Sequence, residues 1–331
     1  MTRGDLKYLC GSNAPVTLDN EIGRMGEGTA LARDAAGDVH IAYQAVTLSG
    51  NKLKYIAQTN GVWSAPQTIE NGGAGVSMTL DAAGNPHIAH ISGSSLRYVF
   101  WNGSGWTSEV VEDYEIVNGR TAIALDSSGH PHVVFSTMDG LMYACNDGSG
   151  WNQETVHSAT FMGEVGLDSP ALVLSDEDEP FISYQARFGA PAAVVVARRV
   201  YNEGEDIWEW LAEAWLQEDC GIGGQTSLAI DGRGVLHVAF HNAAEATLGY
   251  ASAAEDTDSD DLPDWWEMDY FENLDQGEFD DPDEDNLNNH DEYWGGTDPT
   301  VPDEGGGEDT DGDGLDDDEE DLLGTDPYDP D

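Results

Sequence analysis

Basic residues are scarce in this chain of 331 residues, which holds 12 Lys and Arg against 65 Asp and Glu, for a formal net charge of −53. A surface of this sign repels phosphate backbones and anionic membranes, and it attracts cations. The composition therefore excludes nucleic acid as a partner. The shortage is also uneven, because residues 255–331 carry 34 of the acids and no Lys or Arg.

Cysteines and long apolar runs are scarce as well. The three cysteines, Cys10, Cys145 and Cys220, cannot all pair within one chain and show no C-x-x-C spacing, so we predict small buried side chains instead of a disulfide framework. No run of 18 apolar residues occurs, which predicts no membrane span. The first residues, MTRGDLKYLCGS, lack the apolar region of a signal peptide, which leaves a cytoplasmic protein or a mature or truncated piece.

An internal repeat fills the first 254 residues. In segments such as ALARDAAGDVHIAY and AIALDSSGHPHVVF, alternating apolar residues flank a D-x-x-G turn, where Asp bonds backbone amides and Gly accepts a positive φ. Five copies occur, 45 to 56 residues apart, with their turn residues at Asp34, Asp81, Asp126, Ser175 and Asp231. In the fourth copy, Ser175 and Asp178 replace the Asp and Gly, and we expect a different turn there.

A second hairpin follows the first in each repeat. LKYIAQTNGVW, LRYVFWNGSGW and LMYACNDGSGW each contain a strand, a turn and then Trp63, Trp106 or Trp151. Four strands in about 45 residues are typical of one propeller blade. We therefore predict an all-β fold with a five-bladed β-propeller of four-stranded blades over residues 1–254.

The sequence offers two candidates for the strand that closes the ring of blades. The N-terminal strand LKYLC is expected to complete the last blade, beside residues 227–240, which would remove exposed sheet edges. However, Leu248–Ser252 claims the same third-strand position. One of the two must be displaced, or the chain has been cut from a larger propeller.

Two recurring side chains in the propeller suggest ligands. His40, His87, His132 and His237 share one repeat position, which Phe181 fills in the fourth copy. Repeats place such residues a blade apart, too far to share one metal ion, so we predict packing or turn bonding. The Trp series is predicted to pack against neighbouring blades, with sugar stacking as the alternative.

The long fourth repeat is the place where we would look for a ligand. It contains Arg187, Arg198, Arg199, Trp208, Trp210 and Trp215.

Catalysis in the propeller has weaker support. Asp113, Glu115 and Glu164 are candidate acids, but none recurs in a motif. The D-x-x-G-x-x-H unit loosely resembles the Asp-box turn of sialidase-like propellers, although it lacks the S-x-D-x-G-x-T-W pattern. No nucleophile elbow or phosphate loop occurs.

The acidic segment has the register of calcium loops. An EF-hand-type loop takes oxygen ligands at positions 1, 3, 5, 7, 9 and 12, with a backbone carbonyl at 7 and a bidentate Glu at 12. Three sets match, each with Leu at position 7: Asp256, Asp258, Asp260, Leu262, Asp264 and Glu267; Asp281, Asp283, Asp285, Leu287, Asn289 and Glu292; Asp309, Asp311, Asp313, Leu315, Asp317 and Glu320. Carboxylates that converge on one point repel each other unless a cation neutralises them, and flexible oxygen sites select Ca²⁺ over Mg²⁺. A disordered acidic tail is the alternative, but it gives no reason for the fixed Leu or for the aromatic segment DWWEMDYFENL.

The pattern D-x-D-x-D-G-L-x-D-x-x-E, followed by GTDP at 296–299 and 324–327, resembles thrombospondin type 3 repeats of bacterial secreted and surface proteins. The resemblance covers roughly residues 256–331 and implies an extracellular stalk made rigid by calcium. We expect a mostly irregular segment with short helices, divided into a pair of calcium loops (255–299), a flexible linker (300–308) and a further, truncated calcium region (309–331).

These observations predict a non-catalytic, calcium-binding protein located outside the cell or on its surface. Its propeller is expected to recognise a glycan or an extracellular protein. The alternative is a propeller glycoside hydrolase, sialidase-like, or a lyase, with a calcium-binding accessory segment. Carboxylates clustered in the central channel would favour the enzyme, whereas a polar or Trp-lined pocket without them would favour recognition.

Overall fold

The computed structural model describes residues 4–11, 14–113, 116–137, 139–158, 170–187, 192–202, 207–216, 225–242, 247–253, 260, 262–283, 285, 287–295 and 297–302. The chain divides into two compact units, residues 1–230 with 237–251 and residues 231–236 with 252–331. Among the described residues, no helix has the length and apolar character needed to cross a membrane.

The first unit is a five-bladed β-propeller, as the repeat predicted. It starts with a two-stranded sheet, β1 (Leu6–Tyr8) and β2 (Val16–Asp19). Blade one consists of β3 (Gly23–Arg33), β4 (Val39–Thr47), β5 (Gly50–Thr59), β6 (Val62–Trp63) and β7 (Gln67–Asn71). Blade two consists of β8 (Ala74–Leu80), β9 (Pro86–Ser92), β10 (Ser95–Trp101) and β11 (Trp106–Glu112). Blade three consists of β12 (Ile116–Leu125), β13 (Pro131–Thr137), β14 (Gly140–Asn146) and β15 (Trp151–Ser158).

Blade four consists of β16 (Ala171–Leu174), β17 (Pro180–Arg187), β18 (Ala192–Asn202) and β19 (Ile207–Leu216). Blade five contains β20 (Thr226–Ile230), β21 (Leu236–Asn242) and β22 (Thr247–Ala253). Within blades two to four the strands pair antiparallel in chain order. The second unit contains the short helices α1 (Asp264–Phe271) and α2 (Asn289–Gly295).

The N-terminal strands do not complete the last blade, and that prediction is wrong. β22 pairs with β21 as the third strand of blade five, whereas β1 and β2 form a sheet of their own. Leu6 and Tyr8 pack with Met25, Tyr43 and Trp63 of blade one, and the Tyr8 and Trp63 rings meet edge to face at 5.0 Å. Competition for one strand position is thus resolved by displacing β1.

The core lies between the blades, where facing sheets bury their second and third strands. β9 and β13 are buried at every residue but the last, because a neighbouring blade covers each face. One cluster joins Val134, Leu141 and Tyr143 of blade three to Ile182 and Val195 of blade four, and each is at most 1% exposed. Apolar burial between adjacent sheets is therefore the main source of stability.

The turn of the fourth repeat has the same backbone as the others, so the expectation of a different turn is wrong. Asp178 adopts φ 65°, close to the φ of 80° at Gly84 and 86° at Gly129. Ser175 Oγ accepts hydrogen bonds from the amides of Glu177 and Glu179, as Asp81 Oδ1 does in its own turn. The Asp178 carboxylate also accepts bonds from the Ser127 amide and hydroxyl in blade three, at 2.7 and 2.6 Å. Those bonds offset the cost of a left-handed conformation for a residue other than glycine.

A buried polar cluster attaches β2 to blade one. Lys54, 5% exposed, places its Nζ 2.7 Å from Asp19 and 2.6 Å from Glu21. Tyr43 Oη donates a 2.6 Å bond to the same Asp19 oxygen that Lys54 contacts. Burial acts to raise the pKa of Asp19, but the bonds from Lys54 and Tyr43 outweigh it and lower that pKa below its usual range.

The recurring histidines pack within the blades, as predicted. His87 Nδ1 lies 2.5 Å from Tyr98 Oη on the next strand, and its Nε2 lies 3.7 Å from the turn residue Asp81. His40 pairs with Tyr55, and His132 with Tyr143, in the same way. In blade four the histidine and the tyrosine are replaced together: Phe181 takes the first position and Val196, opposite Ser183, takes the second.

We expect the unfolding free energy to fall between pH 7 and pH 5. Burial lowers the pKa of His87 and of His132, so both are neutral in the folded protein. Unfolding exposes imidazoles that bind a proton with a pKa of about 6.5. Protons therefore favour the unfolded chain, and stability falls as the pH drops through that value.

The matched variant is His87→Phe combined with Tyr98→Phe, because blade four tolerates an aromatic ring without the imidazole. Urea midpoints measured at several pH values should show a shallower decline for this variant than for the native protein. His241→Gln, which removes an exposed imidazole, serves as the control. An unchanged slope in the double variant would show that the buried imidazole does not contribute.

Candidate functional site

The two described calcium-loop candidates share one backbone plan. α1 begins at Asp264 and α2 at Asn289, so each helix starts at position 9 of its loop and carries the Glu of position 12 in its first turn. The amide of Leu262 donates to Asp260 Oδ1 at 3.0 Å, and the amide of Leu287 donates to Asp285 Oδ1 at 2.8 Å. The sequence register therefore corresponds to a repeated local structure.

The second loop gathers its first three carboxylates. One carboxylate oxygen from each of Asp281, Asp283 and Asp285 lies within 4.8 Å of the other two. The Asp285 amide donates to Asp281 Oδ1 at 3.2 Å, which curls the chain around this point. Burial, together with the charges of Asp285 and Asp281, raises the pKa of Asp283. A divalent cation at this point would remove that repulsion.

The ligand positions at the helix ends are buried. Glu267, Asn289 and Glu292 are each 0% exposed, although exposure is the rule for such residues. Asn289 Nδ2 donates to the Gly277 carbonyl at 2.9 Å, but no described residue donates a hydrogen bond to its Oδ1. A buried carbonyl oxygen of this kind costs about 1–3 kcal/mol unless something binds it, and a hard cation is a suitable partner.

Aromatic packing joins the two loops, as the segment DWWEMDYFENL suggested. Trp266, 3% exposed, packs edge to face against Tyr270, Phe271 and, from α2, Tyr293, with ring centroids 5.3, 5.7 and 6.0 Å apart. The small core holds both loops in one body. The remaining predicted ligands lie outside the described residues, namely Asp256, Asp258, Asp309, Asp311, Asp313, Leu315, Asp317 and Glu320.

A polar cavity of about 530 Å³ lies at the centre of the propeller. All five blades contribute to it through their first strands or the residue just before them, and Gln44 joins from a second strand. The lining residues are Gly28, Thr29, Gln44, Ala74, Gly75, Val76, Arg120, Thr121, Pro170, Gln225 and Thr226. None of these described residues is Asp or Glu. The volume is in the range of about 300–1,000 Å³ that is typical of small-ligand sites.

The threonines and Arg120 are fixed by nearby polar groups. Thr121 Oγ1 donates to the Gly75 carbonyl at 2.7 Å, and Thr226 Oγ1 donates to the Ser183 carbonyl at 3.0 Å. The Arg120 guanidinium lies 2.6 and 3.0 Å from the side-chain oxygen of Gln225, with that amide oriented so that the oxygen accepts.

Sequence reasoning missed these channel residues, although the repeat contained a signal. Apart from Gln44 and Ala74, they occupy the fifth and sixth positions before each turn residue, where blades one and two have Gly28 and Gly75 at the sixth. Blades three and five have Arg120 and Gln225 at the sixth position instead. The first strand of a blade faces the channel, so large polar residues at this position indicate a site there.

The tryptophans pack between blades, as predicted. The rings of Trp106 and Trp151 lie edge to face with Tyr55 and Tyr98 of the preceding blade, at 5.1 and 5.4 Å. In the long fourth repeat, Trp210 makes the same contact with Tyr143 and donates from Nε1 to Glu154 at 2.9 Å. The described part of that repeat thus continues the blade packing.

The other residues singled out in the propeller do not converge. Arg199 pairs with Glu154 at 3.1 Å and stacks over Trp208 at 5.4 Å. Asp113 bonds Ser95 and does not line the channel. Glu115 and Glu164 lie outside the described residues, and nothing is described of the Arg187 and Trp215 side chains. Cys10 is exposed and Cys145 is half-buried, and neither forms a disulfide, so the prediction of buried cysteines is wrong for Cys10 and holds in part for Cys145. Cys220 lies outside the described residues.

No protein-family model matches the chain. No curated protein sequence matches it either. Among solved structures, a protein of unknown function from Dyadobacter fermentans is similar, with a TM-score of 0.49 and 13% identity over 73% of this chain and 79% of that one.

Two further solved structures are also similar. The SapL1 lectin in complex with α-methyl fucoside has a TM-score of 0.47 and 15% identity, over 72% of this chain and 84% of that one. A mutant of NanB sialidase from Streptococcus pneumoniae has a TM-score of 0.41 and 10% identity, over 67% and 39%. All three scores are below 0.5, so the propeller assignment rests on the strand topology of this chain alone.

Proposed function

We propose that this protein is a non-catalytic, carbohydrate-binding propeller with a calcium-binding segment, and that it works outside the cell or on its surface. The polar cavity formed by all five blades carries the recognition part of the proposal. Its described lining offers amides, hydroxyls and one guanidinium, which suit a hydroxyl-rich ligand. It does not offer the pair of carboxylates that most glycoside hydrolases use.

Calcium binding is supported by the chemistry of the second loop. Asp281, Asp283 and Asp285 supply oxygens at one point, and the buried Asn289 and Glu292 stand at the positions that complete such a loop. The Leu287 carbonyl would supply the ligand of position 7. Bound there, Ca²⁺ would neutralise the carboxylates and fix the loop to the start of α2.

We infer the extracellular location from the type of site that the sequence register suggests. Thrombospondin type 3-like loops imply a stalk outside the cell, and extracellular modules of this chemistry bind calcium at about 10⁻⁴–10⁻³ M. Sites this weak fill where calcium is millimolar and stay largely empty in a cytosol.

A glycan array probed with the full chain at millimolar calcium tests the recognition function. We expect a restricted set of glycans to bind, with weaker binding when Gln44 and Gln225 are both replaced by Ala. Ser104→Ala and Ser149→Ala, at exposed turns away from the channel, are the matched controls. Failure of every glycan to bind would contradict the proposal, and release of reducing sugar from a bound glycan would favour the hydrolase instead.

A further inference from the structure

Arg120 differs in its surroundings from other basic residues of this acidic protein. Lys54 pairs with Asp19, Arg97 with Glu70 and Arg199 with Glu154, all within 3.1 Å. Arg120, by contrast, has no carboxylate within 4.0 Å among the residues that the structure describes. Its partner is the neutral amide of Gln225, which orients the guanidinium without neutralising it.

The position of Arg120 makes this charge available to a ligand. It lies on β12, its side chain is exposed, and it lines the central cavity. A guanidinium offers five N–H donors in a planar arrangement that matches a carboxylate. Gln225 faces one donor on each terminal nitrogen, which leaves three for such a contact.

Gln44 provides a second, independent observation in the same cavity. The residue is only 9% exposed, and it lines the cavity from the second strand of blade one. An amide carries both a donor and an acceptor, so a single ligand hydroxyl that donates and accepts could bond both of its groups. Gln44 therefore indicates a hydroxyl-bearing ligand, as Arg120 indicates an anionic one.

We infer that the channel binds an acidic saccharide, with the ligand carboxylate on Arg120 and a ring hydroxyl on Gln44. This inference rests on the proposed carbohydrate recognition and narrows it to uronate-type sugars. The cavity has room for a small saccharide, and the hydroxyl-bearing Thr29, Thr121 and Thr226 also line it.

Calorimetry with oligogalacturonate and oligoglucuronate, each compared with its neutral parent sugar and its methyl ester, tests this inference on the full chain. We expect a uronate to bind at least about tenfold more tightly than its neutral parent, because the neutral sugar cannot form the charge-assisted bond. Arg120→Gln should remove this preference, and Arg120→Lys should retain part of it because the charge remains without the planar fork. Arg33→Gln, on β3 and away from the cavity, is the matched control.

The outcomes separate the two proposals. Tight binding of neutral glycans with no preference for uronates would overturn the inference and leave carbohydrate recognition standing. Binding of no saccharide would overturn both. A uronate preference that survives Arg120→Gln would also overturn the inference, because the carboxylate would then bind at another residue.

Discussion

Glu292→Gln is expected to weaken calcium binding at the second loop by more than the roughly 10–100-fold that loss of an outer-shell partner costs. Glu292 occupies position 12, is 0% exposed and lies in the first turn of α2. A carboxylate there offers two oxygen ligands and a negative charge, whereas the amide of Gln offers one oxygen ligand and no charge. Calcium titration of the full chain by calorimetry measures the change.

The matched control is Glu272→Gln, the same substitution at an exposed residue of the same segment. It should leave calcium affinity unchanged, because Glu272 is outside both loops. The triple change Asp309→Asn, Asp311→Asn and Asp313→Asn should remove one further site and spare the others. Loss of all binding in any single-loop variant would mean that the loops do not act as separate sites.

Lys54→Met is expected to lower the unfolding free energy by about 3–5 kcal/mol, the usual cost of removing one partner of a buried ion pair. The change leaves Asp19, 6% exposed, as a buried carboxylate with only Tyr43 as a side-chain donor. In the native protein, the ion pair between Lys54 and Asp19 holds β2 against β5 of blade one. Chemical denaturation at neutral pH measures the effect.

Lys52→Met is the control, because Lys52 is only partly buried on the same strand and its described side-chain bond is to the uncharged amide of Asn71. Its effect should stay within about 0.5 kcal/mol. The pH dependence provides a further check. Because the pKa of Asp19 is lowered on folding, its stabilisation exists above an unfolded pKa of about 3.9 and disappears as the pH falls through the folded value. A Lys54→Met protein as stable as the native one would show that the pair does not stabilise the fold.

Local patterns in the sequence were enough to predict the propeller. The D-x-x-G turns and the Tyr and Trp of each second hairpin recur in every regular blade, and the structure gives them one role each. The packing of His87 on Tyr98 followed from the repeat, since residues a blade apart cannot share a metal ion. Competition between β1 and β22 could be recognised in advance, but its outcome depended on packing of Leu6 and Tyr8 against blade one.

The candidate sites, like the fold, could be predicted from the sequence only in part. Register predicted which oxygens belong to the second loop, but only coordinates show that Asp281, Asp283 and Asp285 meet within 4.8 Å and that Asn289 is fully buried. The channel site was missed because its residues share a position in the repeat but differ in residue type from blade to blade. Glycine at two blades obscured the significance of Arg120 at the third.

The most direct test of the account is a calcium titration of the metal-stripped full chain at physiological ionic strength. If the loops are ordered sites, we expect saturable binding of one calcium ion per loop and a gain of helical signal. Glu267→Gln and Glu292→Gln should each remove calcium binding at their own loop and leave the other loop unchanged. A diffuse acidic segment would instead bind calcium weakly, without saturation and without a change in structure. Salt would reduce this binding, because exposed charges are screened within about 8–10 Å. That second result would contradict the account.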